Sequence, residues 1–401
     1  MSFWETYWHV IAFYVILSFV IYLNRRKFEF EGKIVALLRT NTGLDWMNTY
    51  GAKHARMLRF LGTIGIYVGY AGMLVILGFL VFGIHQLIFR PEAPPVLSPV
   101  LPGITIPGTE ITVPLFEGII ALFIVIIVHE AAHGLVSAAY GMKVKGSGVG
   151  FLGPIPLAFV EPDEKKLSHA SPKAQLAVYA AGPWSNVLQA ILFFGLLVGF
   201  AFLINPLFET EGIGFQAIVE GTPAELAGLQ TNTTYTHIND IPLTSSQVLI
   251  TALQQQQPGD VITLRTAEQD IPVTLGAHEE RESVCLGVAG MYIVVGENDI
   301  SQTNPVFLKV LFFIRDIIYW VFVLALGLGL ANLLPLGPVD GGRMLHVPLV
   351  GLFGKEKGER IWANTSIFIL VVVLVLVFVP IIKLFLPQPE IVSTVIRCLP
   401  V

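Results

Sequence analysis

The chain has 401 residues, of which 54% are hydrophobic and only 13% are charged, and its formal net charge is −5. A soluble globular protein carries about 25% charged residues, so this composition excludes an ordinary soluble domain and favours a polytopic membrane protein. The negative net charge also argues against nucleic acid as a partner.

Six apolar segments are each long enough to cross a bilayer, which takes about 20 helical residues. They lie near 4–23, 60–89, 116–140, 174–204, 307–335 and 362–386. Residues 1–23 lack the basic start of a cleavable signal peptide, so the first segment is predicted to be retained. The fold class predicted for the chain is a polytopic α-helical membrane protein with about six transmembrane helices.

Lys and Arg are concentrated in alternate connecting segments, and this pattern predicts how the helices are oriented in the cell membrane. Segments 24–59, 141–173 and 337–360 hold 17 of the 24 basic residues. The positive-inside rule therefore places these three segments in the cytoplasm, and it places both termini and residues 206–306 outside.

The spans and their connections divide the chain into four predicted regions. The first contains two spans and a Pro-rich outer loop, the second contains spans three and four, the third is a soluble module, and the fourth contains spans five and six. Their predicted bounds are 1–115, 116–205, 206–300 and 301–401.

The third region alternates short apolar runs with turn signals, which is typical of a small α+β module. The stretches that resemble a PDZ domain of prokaryotic proteases are Gly212–Phe215, Gly221–Leu229 and His237–Asp240. In a PDZ domain, backbone N–H groups of a Gly-Φ-Gly-Φ loop capture a C-terminal carboxylate. The resemblance implies Gly212, Gly214 and Phe215 as substrate-binding residues. The alternative is that the module only blocks bulky substrates sterically.

The third span contains the sequence His129-Glu130-Ala131-Ala132-His133. Helical residues advance by about 100°, so both His side chains lie on one face, one turn apart, where they can bind one zinc ion. Glu130 lies on the neighbouring flank, where its carboxylate can take a proton from the activated water. Each ionisable group at membrane depth costs about 2.5–3.5 kcal/mol, and a shared cation offsets that cost.

A catalytic zinc ion needs a third protein ligand and one open position. The third His of soluble zincins is absent, because Ala139 stands six residues after the second His. Glu161 and Glu164 are possible acidic ligands, but they lie in a basic stretch where a solvated role is favoured. Asp340 is the better candidate, since it follows a Pro- and Gly-rich break at the end of span five and has room to bend toward a metal.

Three motifs together resemble the site-2 protease family of intramembrane zinc metalloproteases. They are His-Glu-x-x-His at 129–133, Gly-Pro-x-x-Asn at 182–186 and Asn-x-x-Pro-x-x-x-x-Asp-Gly at 332–341. The resemblance covers roughly 116–350, with Val339 in place of the family's usual Leu. It implies that Zn2+ is the cofactor, that His129, His133 and Asp340 are its ligands, and that Glu130 is the general base. It also implies a transmembrane protein or peptide as the substrate.

Residues 141–156 are Gly-rich and alternating, which predicts a membrane-associated β hairpin rather than a helix. In the resembled family such a hairpin lies beside the active site and offers an edge to an extended substrate. An ordinary cytoplasmic loop is the alternative. Asn186 and Asn332 lie on spans with few other polar groups, and both are predicted to stabilise the oxyanion, although either could instead bridge helices.

The sequence thus predicts hydrolysis of a peptide bond within or near a transmembrane helix, at a site nearer the cytoplasmic side. Two alternatives belong to other classes. A metal-ion transporter would carry ionisable residues across several spans, and a catalytically silent PDZ scaffold would carry a damaged His-Glu-x-x-His motif. The sequence leaves open whether Cys285 and Cys398 form a disulfide, and it does not name the substrate.

Overall fold

The computed structural model describes residues 3–31, 35–90, 95–106, 109, 111–152, 155–204, 208–277, 284–297 and 305–383. The chain forms two compact units. Within the described residues, the first comprises 3–198 with 312–383, and the second comprises 199–311.

Helices dominate the described chain because most of its apolar runs are long and lack the strand alternation. Numbered along the sequence, they are α1 (Phe3–Leu23), α2 (Leu44–Lys53), α3 (Ala55–Phe89), α4 (Leu115–Ala139), α5 (Glu164–Ser168), α6 (Pro172–Ile204), α7 (Pro223–Leu226), α8 (Ser246–Gln254), α9 (Pro305–Asn332), α10 (Asp340–Phe353) and α11 (Lys355–Lys383).

Five of these helices are long and apolar enough to cross a membrane, namely α3, α4, α6, α9 and α11. The predicted fold class of a polytopic α-helical membrane protein is therefore confirmed. Helix α1 has a shorter apolar part, Tyr7–Leu23, so its crossing of the bilayer stays a prediction.

The strands fall in three stretches of the chain. They are β1 (Glu29–Glu31), β2 (Val35–Thr40), β3 (Val144–Leu152), β4 (Ile155–Pro162), β5 (Phe208–Ile218), β6 (His237–Ile238), β7 (Ile241–Pro242), β8 (Val261–Arg265), β9 (Asp270–Thr274), β10 (Gly276–Ala277), β11 (Val284–Cys285) and β12 (Val288–Glu297).

The first unit contains an antiparallel sheet in the order β1-β2-β3-β4. Strands β3 and β4 form the hairpin that the Gly-rich segment predicted. Strands β1 and β2 were not predicted, because their residues were assigned to a basic connecting segment. Strand β2 pairs with β3, with Val35 opposite Leu152 and Thr40 opposite Ser147, and β1 in turn pairs with β2.

Helix α2 packs against both this sheet and α4. The Asn48 side chain accepts a hydrogen bond from the Val144 N–H at 2.9 Å and donates one to the Val144 carbonyl at 3.1 Å. Gly134 of α4 permits the close approach, since a Cβ there would lie 2.5 Å from the Met47 sulfur and 3.1 Å from Cγ1 of Val160. Strands β3 and β4 therefore pack against α4, the helix that carries the His-Glu-x-x-His motif.

The second unit is the α+β module that the sequence predicted. Strand β5 pairs with β12 along its length, and β6 to β9 form a separate sheet in the order β7-β6-β8-β9. Their inward side chains share one core, in which Phe215, Tyr235 and Leu249 are fully buried. Cys285 is buried and is not a free thiol, whereas Cys398 lies outside the described residues.

The Asn48 contacts predict a measurable loss of stability in Asn48→Ala. Two hydrogen bonds in a half-buried position are lost, and Val144 keeps an unpaired donor and acceptor, so we expect destabilisation by about 1–3 kcal/mol. Thermal unfolding of the purified protein in detergent measures it. Asn24→Ala is the matched control, because Asn24 is exposed and bonds only within its own helix turn, and an equal effect of both substitutions would contradict the prediction.

Candidate metal and catalytic site

Three side chains from two helices meet at one point inside the first unit. The Nε2 atoms of His129 and His133 lie 3.2 Å apart. The Asp340 Oδ2 atom lies 3.1 Å from the first and 3.4 Å from the second. The structure thus brings together the three residues that the sequence selected as metal ligands, all with ligand atoms within 4.8 Å of one another.

Local sequence explains how the three ligands reach this point. The two His side chains share a face of α4 because they are four residues apart. Asp340 is the first residue of α10. The break between α9 and α10 turns the chain back, with hydrogen bonds from the Leu336 N–H to Leu334 O and from the Val339 N–H to Leu336 O.

The donor set fits a zinc ion. The His133 Nδ1 atom lies 2.7 Å from the Val178 carbonyl, which can only accept, so Nδ1 carries the proton and Nε2 keeps its lone pair toward Asp340. Gly182 of α6 leaves the space open: a Cβ there would lie 2.3 Å from Nε2 of His133 and 2.4 Å from Nε2 of His129. Two imidazoles and a carboxylate are ligands that zinc prefers.

Glu130 lies beside these ligands and touches the sheet. Its Oε2 atom accepts a hydrogen bond of 3.0 Å from the Val160 N–H of strand β4. Because β4 is an edge strand whose one strand partner among the described residues is β3, this N–H points away from the sheet. The carboxylate therefore occupies a position that an added strand would also use.

A cavity of about 640 Å³ opens on the site. Its polar or charged lining residues are His129, Glu130, His133, Glu164, Tyr179, Asn332, Asp340 and Arg343. Its apolar lining includes Leu122 and Ile126 of α4. A cavity of this size, with a few converging polar groups, has the character of a substrate site.

The two predicted oxyanion donors lie in different surroundings. Asn332 lines the cavity, and its Nδ2 atom is 3.5 Å from Nε2 of His129. Asn186 is fully buried and does not line the cavity. It lies close to α9, since a Cβ added to Gly329 would lie 3.1 Å from the Asn186 Cβ. Within the described residues, neither polar atom of the Asn186 side chain has a hydrogen-bond partner.

Glu161 and Asp163, two other acidic residues near the hairpin, have partners away from the metal ligands, whereas Glu164 lines the same cavity as the ligands. Glu161 forms an ion pair with Arg39, which also pairs with Glu29. Asp163 accepts a hydrogen bond from Lys145 at 3.0 Å and caps α5, and the Lys145 ammonium lowers the pKa of Asp163. These contacts agree with the prediction that Asp340, rather than Glu161, completes the ligand set.

The three residues proposed from the PDZ resemblance lie inside the paired strand β5. Phe215 is buried in the core of the second unit, and Gly214 is paired with Tyr292 of β12. A Cβ on Gly212 would lie 2.3 Å from the Tyr235 carbonyl oxygen, and that oxygen accepts the Ile213 N–H at 2.9 Å. Both edges of β5 are therefore occupied at this point.

Sequence comparison identifies the family. Residues 117–373, well over half of the chain, match Peptidase family M50, and the protein belongs to this family. The resemblance to the site-2 proteases is confirmed, and Zn2+ as the family's cofactor agrees with the three converging ligand atoms.

Individual relatives match parts of the chain. An uncharacterized protein of Methanocaldococcus jannaschii is 34% identical over 183 residues, which are 43% of this chain and 46% of that protein. Zinc metalloprotease RasP of Oceanobacillus iheyensis is 25% identical over 242 residues, which are 49% of this chain and 56% of RasP. The aligned parts thus span about half the length of these curated relatives.

A solved PDZ domain of the SdrC-like protein from Listeria monocytogenes matches with 18% identity and a TM-score of 0.18. The match covers 21% of this chain and 88% of that domain.

The space at Gly182 predicts that Gly182→Ala prevents metal binding, because the added methyl group would occupy the volume between the imidazoles. We expect about one zinc ion per chain in the unmodified protein and much less in the variant, measured by elemental analysis after purification. Gly195→Ala on the same helix is the control, since nothing lies within 4 Å of its added Cβ. Full zinc content in Gly182→Ala would show that the ion lies elsewhere.

Proposed function

We propose that the protein is a zinc metalloendopeptidase that hydrolyses a peptide bond within or near a transmembrane helix of a membrane-protein substrate. The convergence of His129, His133 and Asp340 beside Glu130 supports this most strongly. Helices α4 and α9, which line the cavity, are both long and apolar enough to span a bilayer. A substrate that reaches these residues would therefore come from within the membrane.

Zinc held by the three ligands would supply Lewis-acid activation of the nucleophilic water and of the scissile carbonyl. Glu130 takes the proton from that water and then gives it to the leaving amine. Its position one residue after His129 on α4 keeps the carboxylate close to the ligands throughout. The Val178 carbonyl holds His133 in the tautomer that leaves Nε2 free.

The oxyanion of the tetrahedral intermediate needs a hydrogen-bond donor. Asn332 is suited to this role, because its amide lines the cavity close to His129. Asn186 of α6 is buried close to Gly329 of α9, the helix that carries Asn332, so its contribution is to the packing of these two helices. Donors held in place before the reaction stabilise developing charge without reorganisation.

The substrate binds in an extended form along the edge of β4. A helix hides its carbonyl groups in its own hydrogen bonds, so it must unwind before hydrolysis, and unwound backbone in an apolar setting needs new partners. The Val160 N–H is such a partner, and it is now held by Glu130. A substrate carbonyl that takes this N–H would release the Glu130 carboxylate for proton transfer.

The orientation proposed from the charge pattern puts the basic residues that follow the site, such as Arg343, in the cytoplasm. The catalytic residues then lie nearer the cytoplasmic side, and both termini and the module lie outside.

In the module, peptide capture is better supported at β12 than at the strand that contains Gly212. Strand β12 pairs with β5 on one edge and lies beside α8, and the described residues add no strand to its other edge.

Replacing the proposed general base tests the mechanism. Glu130→Gln keeps the shape of the side chain but cannot take a proton, so we expect the cleavage rate to fall about 10²–10⁴-fold. The assay uses detergent-purified protein, a candidate transmembrane substrate and mass spectrometry of the products. Zinc content should stay near one ion per chain, because Glu130 is not a ligand.

Equal cleavage by the unmodified protein and Glu130→Gln would contradict the proposed role of Glu130. Glu164→Gln is the matched control for a carboxylate in the same cavity. It should retain most of the activity, since Glu164 lies at the start of α5 and not among the ligands.

The edge-strand proposal predicts the effect of Val160→Pro. Proline removes the outward N–H and is tolerated at an edge position that bonds away from its sheet. Loss of one backbone hydrogen bond of about 1 kcal/mol should raise KM about fivefold for an extended substrate, with zinc content unchanged. Val160→Ala retains the N–H and is the control. An unchanged KM in the proline variant would argue against strand addition at this residue.

A further inference from the structure

A non-helical segment contributes to the catalytic cavity. We call Val96–Gly103 the strap. Its middle residues, Pro99, Val100 and Leu101, line the cavity that contains the metal ligands and Glu130. Composition did not predict this position, since the stretch is Pro-rich and was expected to form an extended outer loop.

One end of the strap packs against α3 and α11. A Cβ on Gly83 of α3 would lie 3.5 Å from the Val96 Cβ and 3.1 Å from Cδ1 of Leu376. Leu97 packs against the apolar cluster to which Leu376 belongs. This end is therefore held by the two helices rather than by solvent-exposed contacts.

The other end is held by α1. The Tyr14 hydroxyl donates a hydrogen bond of 3.0 Å to the Pro102 carbonyl. Gly103 has φ +84°, and a Cβ there would lie 2.8 Å from both γ carbons of Val10. The Gly103 N–H donates to the Val113 carbonyl at 2.8 Å. Because both ends of the strap are held by these contacts, Pro99, Val100 and Leu101 are kept in place in the lining of the cavity.

The strap lies deep along α4. It shares the cavity with Leu122 and Ile126, which lie about 10–16 Å along the helix from Leu115 at 1.5 Å per residue. Extended backbone at such depth is tolerated where it lines a cavity. Proline at positions 99 and 102 also removes two N–H groups that would otherwise need partners.

The cavity therefore has both apolar and polar lining residues. Val100 and Leu101 of the strap line the same space as Leu122, Ile126 and Leu328, all apolar, and as the metal ligands and Glu130. On α4, Ile126 precedes His129 by about one turn and Leu122 by about two. A substrate strand that extends from the catalytic residues along α4 would bring its neighbouring side chains against these apolar residues.

We propose that Val100 and Leu101 form the wall of an apolar substrate subsite, which selects the size of a substrate side chain on one side of the scissile bond. This inference rests on the proposed peptidase function. Tyr14 is a positioning residue for the wall, because it bonds the strap and does not line the cavity.

The first experiment changes the size of the wall. Peptides that differ only in Ala or Phe at one position near the cut are assayed with the unmodified protein, Leu101→Ala and Leu101→Trp. We expect Leu101→Ala to raise the Phe-to-Ala ratio of kcat/KM about tenfold or more at one position, and Leu101→Trp to lower it. Ile111→Ala should leave the ratio unchanged, since Ile111 is 50% exposed and does not line the cavity.

The second experiment tests the role of α1. Tyr14→Phe removes only the hydroxyl group that bonds the Pro102 carbonyl and so loosens the wall. It should raise the Phe-to-Ala ratio of kcat/KM, as Leu101→Ala does, but by a smaller factor. Its zinc content should equal that of the unmodified protein. Ratios that stay constant in Leu101→Ala, Leu101→Trp and Tyr14→Phe, while cleavage continues, would overturn the subsite.

A third experiment does not need activity. Leu101→Cys is combined with Glu130→Gln, and single cysteines are placed along the substrate on both sides of the cut. Crosslinks should form on one side only, within about four residues of the cut, since a strand rises about 3.3 Å per residue. If the unmodified protein cleaves no substrate, the peptidase proposal fails and no cut is defined. The subsite then requires crosslinks confined to one run of about four consecutive substrate residues, and crosslinks spread along the substrate, or none, would overturn it.

Discussion

The structure depends on the cost of ionisable groups in apolar surroundings. His129 is 4% exposed and His133 is 8% exposed, so little solvent compensates the polarity of the imidazoles, and the side chain of the nearby Asp340 is 14% exposed. A shared cation with two imidazole and one carboxylate ligand removes most of this penalty. The same constraint explains why the hydrogen bond from His133 to the Val178 carbonyl matters, because it leaves a ligand lone pair where the ion would lie.

Close helix packing serves this centre. Gly182 of α6 leaves the volume beside the two imidazoles open, and Gly134 of α4 lets α2 and the sheet approach from another side. Small residues that let backbones approach are the usual means of helix association in membranes. In this protein the same residues also shape the site, so packing and metal binding impose one constraint on the sequence.

The sheet and the strap both bring non-helical backbone to the cavity that contains the catalytic residues. Strand β4 presents the Val160 N–H to Glu130, and Leu101 of the strap lines the same cavity. Both segments are tolerated because they line a cavity rather than lipid. An unwound substrate would find backbone partners on one and side-chain contacts on the other.

Residue spacing and the family resemblance together predicted the ligands and the general base. The interval of four residues puts His129 and His133 on one helical face, and the Pro- and Gly-rich break gives Asp340 its freedom, but the choice of Asp340 also rested on the resemblance. The hairpin was predictable, because its glycines and alternation are local features. Strand β2 was not, since it pairs with β3, about a hundred residues away, and β1 pairs with β2.

Hydropathy and motif spacing thus determined the membrane class and the zinc cofactor and predicted the metal ligands, because each is encoded in neighbouring residues. Only the tertiary structure decided that Asn332 lines the cavity while Asn186 is buried, that Phe215 belongs to a core, and that Leu101 faces the site. These outcomes depend on contacts between segments far apart in the chain, and no local periodicity encodes which of two similar side chains faces a shared space.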